Sequence, residues 1–158
     1  MIRASRPATS QVGLHSPTQR EVPVLDHVSL RVTDYDRSKR FYEAALAPLG
    51  YVLAMETDSG AGFRKGFIPA FWIKQGDTTQ AQVAASPMSG CGGPAVHIAF
   101  ASDDRPSVDA FYHAALAAGA RDNGGPGLRP NYHANYYGAF VLDPDGYNIE
   151  AVCHKPEP

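Results

Sequence analysis

The 158-residue chain has little cysteine. Cys91 and Cys153 alone make neither a disulfide framework nor a cysteine-rich zinc site. It has no charge excess of either sign. Fourteen Lys and Arg stand against sixteen Asp and Glu, a net charge of −2, so no strong field draws in nucleic acid or an anionic membrane. No apolar run approaches the ~18 residues that span a bilayer. The opening segment MIRASRPATSQVGLHSPTQR lacks the apolar stretch of a secretory signal. Apolar residues are not scarce: 44% are hydrophobic and 19% charged, which supports a packed core and excludes wholesale disorder. Together these features predict a cytoplasmic globular protein.

Residues 1–22 hold Pro7, Pro17 and scattered Ser and Thr without periodicity, and read as a disordered tail. The remainder contains an internal repeat. HVSLRVTDYDRSKRFYEAALA, from His27, aligns without a gap on HIAFASDDRPSVDAFYHAALA, from His97, at an offset of 70, with 8 of 21 positions identical. Each copy opens with a strand, in which Val28, Leu30 and Val32, or Val96, Ile98 and Phe100, alternate with smaller or polar residues. A helix follows each strand. The first has Asp34 as N-cap and an apolar stripe through Phe41, Tyr42, Ala45 and Leu46. The second has Pro106 in its first turn and Phe111, Ala115 and Leu116 as its stripe. Gly50 and Gly119 stop them.

YVLAMET, GFRKGF and AFWIKQ then read as strands of the first copy, and YYGAFVL and YNIEAVC of the second. The expected fold is α+β, one domain over 23–154. Its βαβββ modules span 23–78 and 94–154, with a Gly/Pro-rich linker at 79–93.

The helix covers the continuous apolar face of each strand, so His27 and His97 point to the opposite face. Read as a four-residue loop, Asp143-Pro144-Asp145-Gly146 sets Ala139 opposite Glu150 and gives Tyr137, Asn135 and His133 the face of Glu150. Two histidines at one repeat position and a carboxylate on the final strand suit a divalent ion with open coordination positions: Fe, Mn, Ni, Co or Zn. The same residues also suit hydrogen-bonded structural histidines and a solvated glutamate. On this face His133 and Tyr137 are the candidates for proton handling. Arg31 suits an anionic group of a substrate, Arg129 in the glycine-rich loop a mobile lid over it, and Trp72 an apolar wall, with surface ion pairing, a plain loop charge and core packing as the respective alternatives.

LRVTDYDRSKRFYEAAL, HIAF and FVLDPDGYNIEAV resemble the hallmark segments of the vicinal oxygen chelate superfamily, which includes glyoxalase I, extradiol dioxygenases and bleomycin-binding proteins. The resemblance spans roughly residues 24 to 154. It implies paired βαβββ modules forming a curled mixed sheet around a metal or ligand cavity, helices on the outer face. It also implies a homodimer, and metal ligands at His27, His97 and Glu150. Two departures stand out. AFWIKQ offers Phe71, Trp72 or Ile73 where glyoxalase I has a second glutamate, and Phe140 stands where extradiol dioxygenases carry a tyrosine. The resemblance thus implies a small metal-dependent enzyme acting on an oxygenated small molecule, a lyase or isomerase before a dioxygenase. The alternative is a non-catalytic protein that sequesters a small molecule.

Overall fold

The computed structural model describes residues 25–76 and 96–157; the expected tail at 1–22, the linker at 79–93 and Cys91 lie outside them. The first module runs β1 (Val28–Val32), α1 (Tyr35–Leu46), a 3-10 turn (Ala47–Leu49), β2 (Val52–Thr57), β3 (Gly60–Arg64) and β4 (Phe71–Gln75). The second runs β5 (His97–Ala101), α2 (Arg105–Ala117), β6 (Arg121–Asp122), β7 (Gly127–Leu128), β8 (Tyr137–Leu142) and β9 (Asn148–Cys153). The order βαβββ is found twice, with the third-to-last position of the second copy split into the two short strands β6 and β7.

The helices begin where the sequence repeat places them. Asp34 and Asp104 are both extended N-caps. Their carboxylates accept from the backbone N–H of Arg37 at 3.0 Å and Ser107 at 2.8 Å, satisfying donors the helix itself leaves free. Gly50 ends the first module's helical segment at φ +82°, a left-handed conformation that glycine adopts without a Cβ penalty.

The strands form two mixed sheets, ordered β1-β4-β3-β2 and β5-β9-β8-β6, with β7 also on β8. β1 and β5 are edge strands that do not pair with each other, so within the described residues the sheet is not continuous. Each helix covers the apolar face of its own sheet, and α1 also packs against α2. One core results. Leu30, Val32, Phe41, Leu46 and Ile73 of the first module are continuous with Phe100, Val108, Phe111, Val141 and Ile149 of the second. At the junction Phe100 meets the rings of Phe71 and Tyr51, both at 5.2 Å and nearly edge-on.

A polar latch also joins the modules. The buried Asp143 carboxylate takes the Tyr42 hydroxyl at 2.6 Å, while Asp145 accepts from Thr33 and from Arg37 at 2.8 Å. Tyr147 donates its hydroxyl to the carbonyl of Arg31 at 2.8 Å. No helix among the described residues is long and apolar enough to cross a membrane.

Candidate functional site

Parallel strand pairs set the geometry of both outer faces. Ala99 lies beside Glu150 in the β5–β9 pair, and Ser29, its repeat counterpart, lies beside Trp72 in β1–β4. Trp72 is therefore the structural counterpart of Glu150. The indole lies over Gly62, where a Cβ would stand 2.8 Å from ring carbon Cζ2, and its N–H donates to the Pro69 carbonyl at 3.2 Å.

The β8–β9 hairpin departs from expectation by one residue. Asp143 N–H donates to the Tyr147 carbonyl, and Gly146 N–H to the Asp143 carbonyl, both at 2.9 Å. Gly146 is at φ +89°. These bonds close a three-residue loop, Pro144 to Gly146, rather than four. Leu142 then pairs with Asn148 and Phe140 with Glu150. Side chains alternate with period two, so the shift exchanges the faces of β8. Tyr137 turns to the helix side, where its hydroxyl donates to Asp109 of α2 at 2.8 Å and Arg105 lies 5.1 Å over its ring. Phe140, Gly138 and the preceding Tyr136 take the face of Glu150.

On that face two of the three expected ligands meet. His97 Nε2 lies 2.9 Å from Glu150 Oε2, with the imidazole about half exposed and the carboxylate only 1% exposed. The other oxygen, Oε1, accepts from the Tyr136 hydroxyl at 2.6 Å. Burial, and then the bond to this carboxylate, pushes the Tyr136 phenol well up, so it stays a protonated donor at neutral pH. The Phe140 ring stacks beside His97 at 6.1 Å, and the Arg129 guanidinium lies 5.5 Å over Phe140. Arg129 also donates to the Gly125 carbonyl at 2.7 Å, which ties the glycine-rich loop to this face.

His27 does not join them. It precedes β1, its Nδ1 is 2.7 Å from Asp26, and it borders a cavity of about 340 Å³ with Ser29, Met55, Ile68 and Trp72. Among the described residues no three His, Cys, Asp or Glu side chains are grouped to hold a metal ion. His97 and Glu150 nevertheless have suitable donors: an imidazole nitrogen and a carboxylate oxygen converge on an outward face.

His133 accepts from the Asn135 N–H at 3.2 Å and lies 6.1 Å from His154, whose ring is 5.0 Å from Tyr136. Arg31 is exposed and reaches the Gln75 carbonyl at 3.3 Å. Tyr136 and His154 are the neighbours that the sequence reading missed. Reading Asp143–Gly146 as a turn closed by a left-handed glycine would have put Tyr136 on the right face.

A separate groove of about 810 Å³ lies over the start of α1, lined by Asp34, Asp36, Glu56 and Asp58. It shares no residue with the His97–Glu150 face.

The family profile described as Glyoxalase/Bleomycin resistance protein/Dioxygenase superfamily matches residues 24–151. No protein with a curated description matches the sequence. Among solved structures, a glyoxalase/bleomycin resistance protein from Albidiferax ferrireducens T118 is 28% identical. It aligns over 85% of this chain and 100% of its own, with a TM-score of 0.64. A glyoxalase/bleomycin resistance protein/dioxygenase family enzyme from Burkholderia phytofirmans PsJN is 19% identical over 82% of this chain and 98% of its own, TM-score 0.60. A lactoylglutathione lyase from Agrobacterium tumefaciens is 18% identical over 85% and 96%, TM-score 0.55. The last two show likeness of fold alone.

Proposed function

The chain belongs to the Glyoxalase/Bleomycin resistance protein/Dioxygenase superfamily, and from that premise we propose a small metal-dependent enzyme acting on an oxygenated small molecule. The reaction class is lyase or isomerase first and dioxygenase second. The observation behind this is the 2.9 Å approach of His97 Nε2 to Glu150 Oε2 on an outward-facing sheet. A divalent ion held there would supply Lewis acidity to two neighbouring oxygens of the substrate.

His97 and Glu150 give two ligands from one chain, and His27 of a second copy gives the third. The homodimer this requires is supported by the edges of β1 and β5, which have no strand partner on their outer side among the described residues. Phe140 and Trp72 form apolar walls, and Arg129 and Arg31 receive anionic groups of the substrate. With Trp72 where a second glutamate would act as base, proton handling falls to His133, whose ring lies 6.1 Å from His154, itself packed 5.0 Å from Tyr136. Tyr137, engaged with Asp109, has no part in it.

The test is metal content of untagged protein after reconstitution with Fe(II), Mn(II), Ni(II), Co(II) or Zn(II). Wild type should hold about one ion per chain, and H27A, H97A and E150Q should lose it. Mixing unfolded H27A and E150Q chains and refolding them together should restore about a quarter of the sites, because half the dimers then hold one intact set. Restoration of none would exclude a site shared between chains.

A second reading, a binding protein without chemistry, is favoured by one feature: Trp72 at the counterpart of Glu150, lying over Gly62 and lining a cavity of about 340 Å³ with Met55, Ile68 and Pro69 on one part of its wall. Wild type that takes up no metal under any of these conditions would select it.

A further inference from the structure

We infer that Tyr136 is a positioning residue that limits Glu150 to a single ligating oxygen, Oε2; this rests on the metal-centre reading above. Glu150 is buried, and its two oxygens have different partners. Oε1 accepts from the Tyr136 hydroxyl at 2.6 Å, and Oε2 lies 2.9 Å from His97 Nε2. Oε1 is seated in a niche that only glycine leaves open: a Cβ at Gly138 would stand 2.8 Å from it.

The tyrosine is itself held in place. Its ring packs edge-on against Tyr132 at 5.1 Å and His154 at 5.0 Å. Its carbonyl accepts from Arg129 N–H at 2.7 Å, and its N–H donates to the His133 carbonyl at 3.0 Å. A charge-assisted bond of this length is among the stronger hydrogen bonds. Turning Oε1 toward an ion would break it and leave a part-buried hydroxyl without its acceptor. With Oε1 held back by Tyr136, an ion held by His97 and Oε2 would supply its Lewis acidity to a substrate that chelates through two oxygens.

Two arms test this. In metal-free protein, imidazole nitrogen NMR reads the His97–Glu150 contact in wild type, Y136F, G138A and the control Y132F. The His97 signal should shift or broaden in Y136F and G138A and stay unchanged in Y132F. An unchanged signal in both Y136F and G138A overturns the inference. In Co(II)-loaded protein, the visible spectrum reads coordination number and oxalate serves as the chelating probe. Y136F should give a weaker visible band and bind oxalate about tenfold less tightly, a loss of about 1.4 kcal/mol. Equal spectra and equal oxalate affinity would also overturn it. Wild type that binds no Co(II) overturns the metal reading instead, and the metal-free arm still decides whether Tyr136 holds Glu150.

Discussion

Asp143 offers a quantitative test of how the two modules are joined. Its side chain is 2% exposed, at the base of the β8–β9 hairpin. Oδ1 accepts from the N–H groups of Asp145 at 2.9 Å and Tyr147 at 2.8 Å, and Oδ2 accepts from Tyr42 across the module boundary. Those bonds favour the carboxylate, but burial outweighs them and raises the pKa from an ordinary 3.8 to about 6.

The sign follows from linkage. Because the folded pKa is raised, the acid favours the fold below about pH 4, and this contribution is lost as pH rises through about 6. The difference between 3.8 and about 6 amounts to about 3 kcal/mol at neutral pH. Asn in place of Asp keeps the Oδ1 acceptor and removes the charge, while Tyr42 turns to accept from the new amide. Urea unfolding of wild type and D143N should therefore be followed from about pH 4 to about pH 7. Carboxylates distant from Asp143 cancel in the difference between the two proteins, and Asp145, whose charge also raises Asp143, is the neighbour that couples to it. D143N should gain about 3 kcal/mol relative to wild type across that window. A difference that stays flat within about 1 kcal/mol would refute the burial argument.

Three further outcomes are expected. D34A and D104A should each lose about 1 kcal/mol in thermal or urea unfolding, the usual cost of an N-cap; no loss would mean the caps are replaced by water. G146A should cost about 1 kcal/mol, because φ +89° is unfavourable once a Cβ is present; an unchanged midpoint would mean the turn adopts another conformation. G62A should move the emission of the single tryptophan, Trp72, since the new methyl would stand 2.8 Å from its ring; an identical spectrum in a folded variant would contradict the indole's placement.

Much of the fold was legible because it is written twice. The 70-residue offset carries the N-cap aspartates, the aromatic pair on each helix and the histidine at each first strand, and both helices start where it predicts. Strand alternation also placed His97 and Glu150 on the face away from the helices, as their contact reflects. Trp72 could be narrowed only to a choice of three residues, because module one has no acid there to mark the register; the β1–β4 pairing selected it.

By itself the sequence determined the elements, their order and the side of each first strand that meets a helix, since these depend on local periodicity and capping. Only the tertiary structure decided which tyrosine accompanies Glu150. Asp143-Pro144-Asp145-Gly146 is compatible with a three- or a four-residue loop, and the choice is tied to Asp143, whose carboxylate holds two turn N–H groups and is held by Tyr42, 101 positions earlier. One residue of loop length turns β8 over, so Tyr137 goes to Asp109 and Tyr136 to Glu150. Whether β1 and β5 join into one sheet was likewise beyond reach of pattern, because edge pairing depends on how two finished modules pack around a shared core.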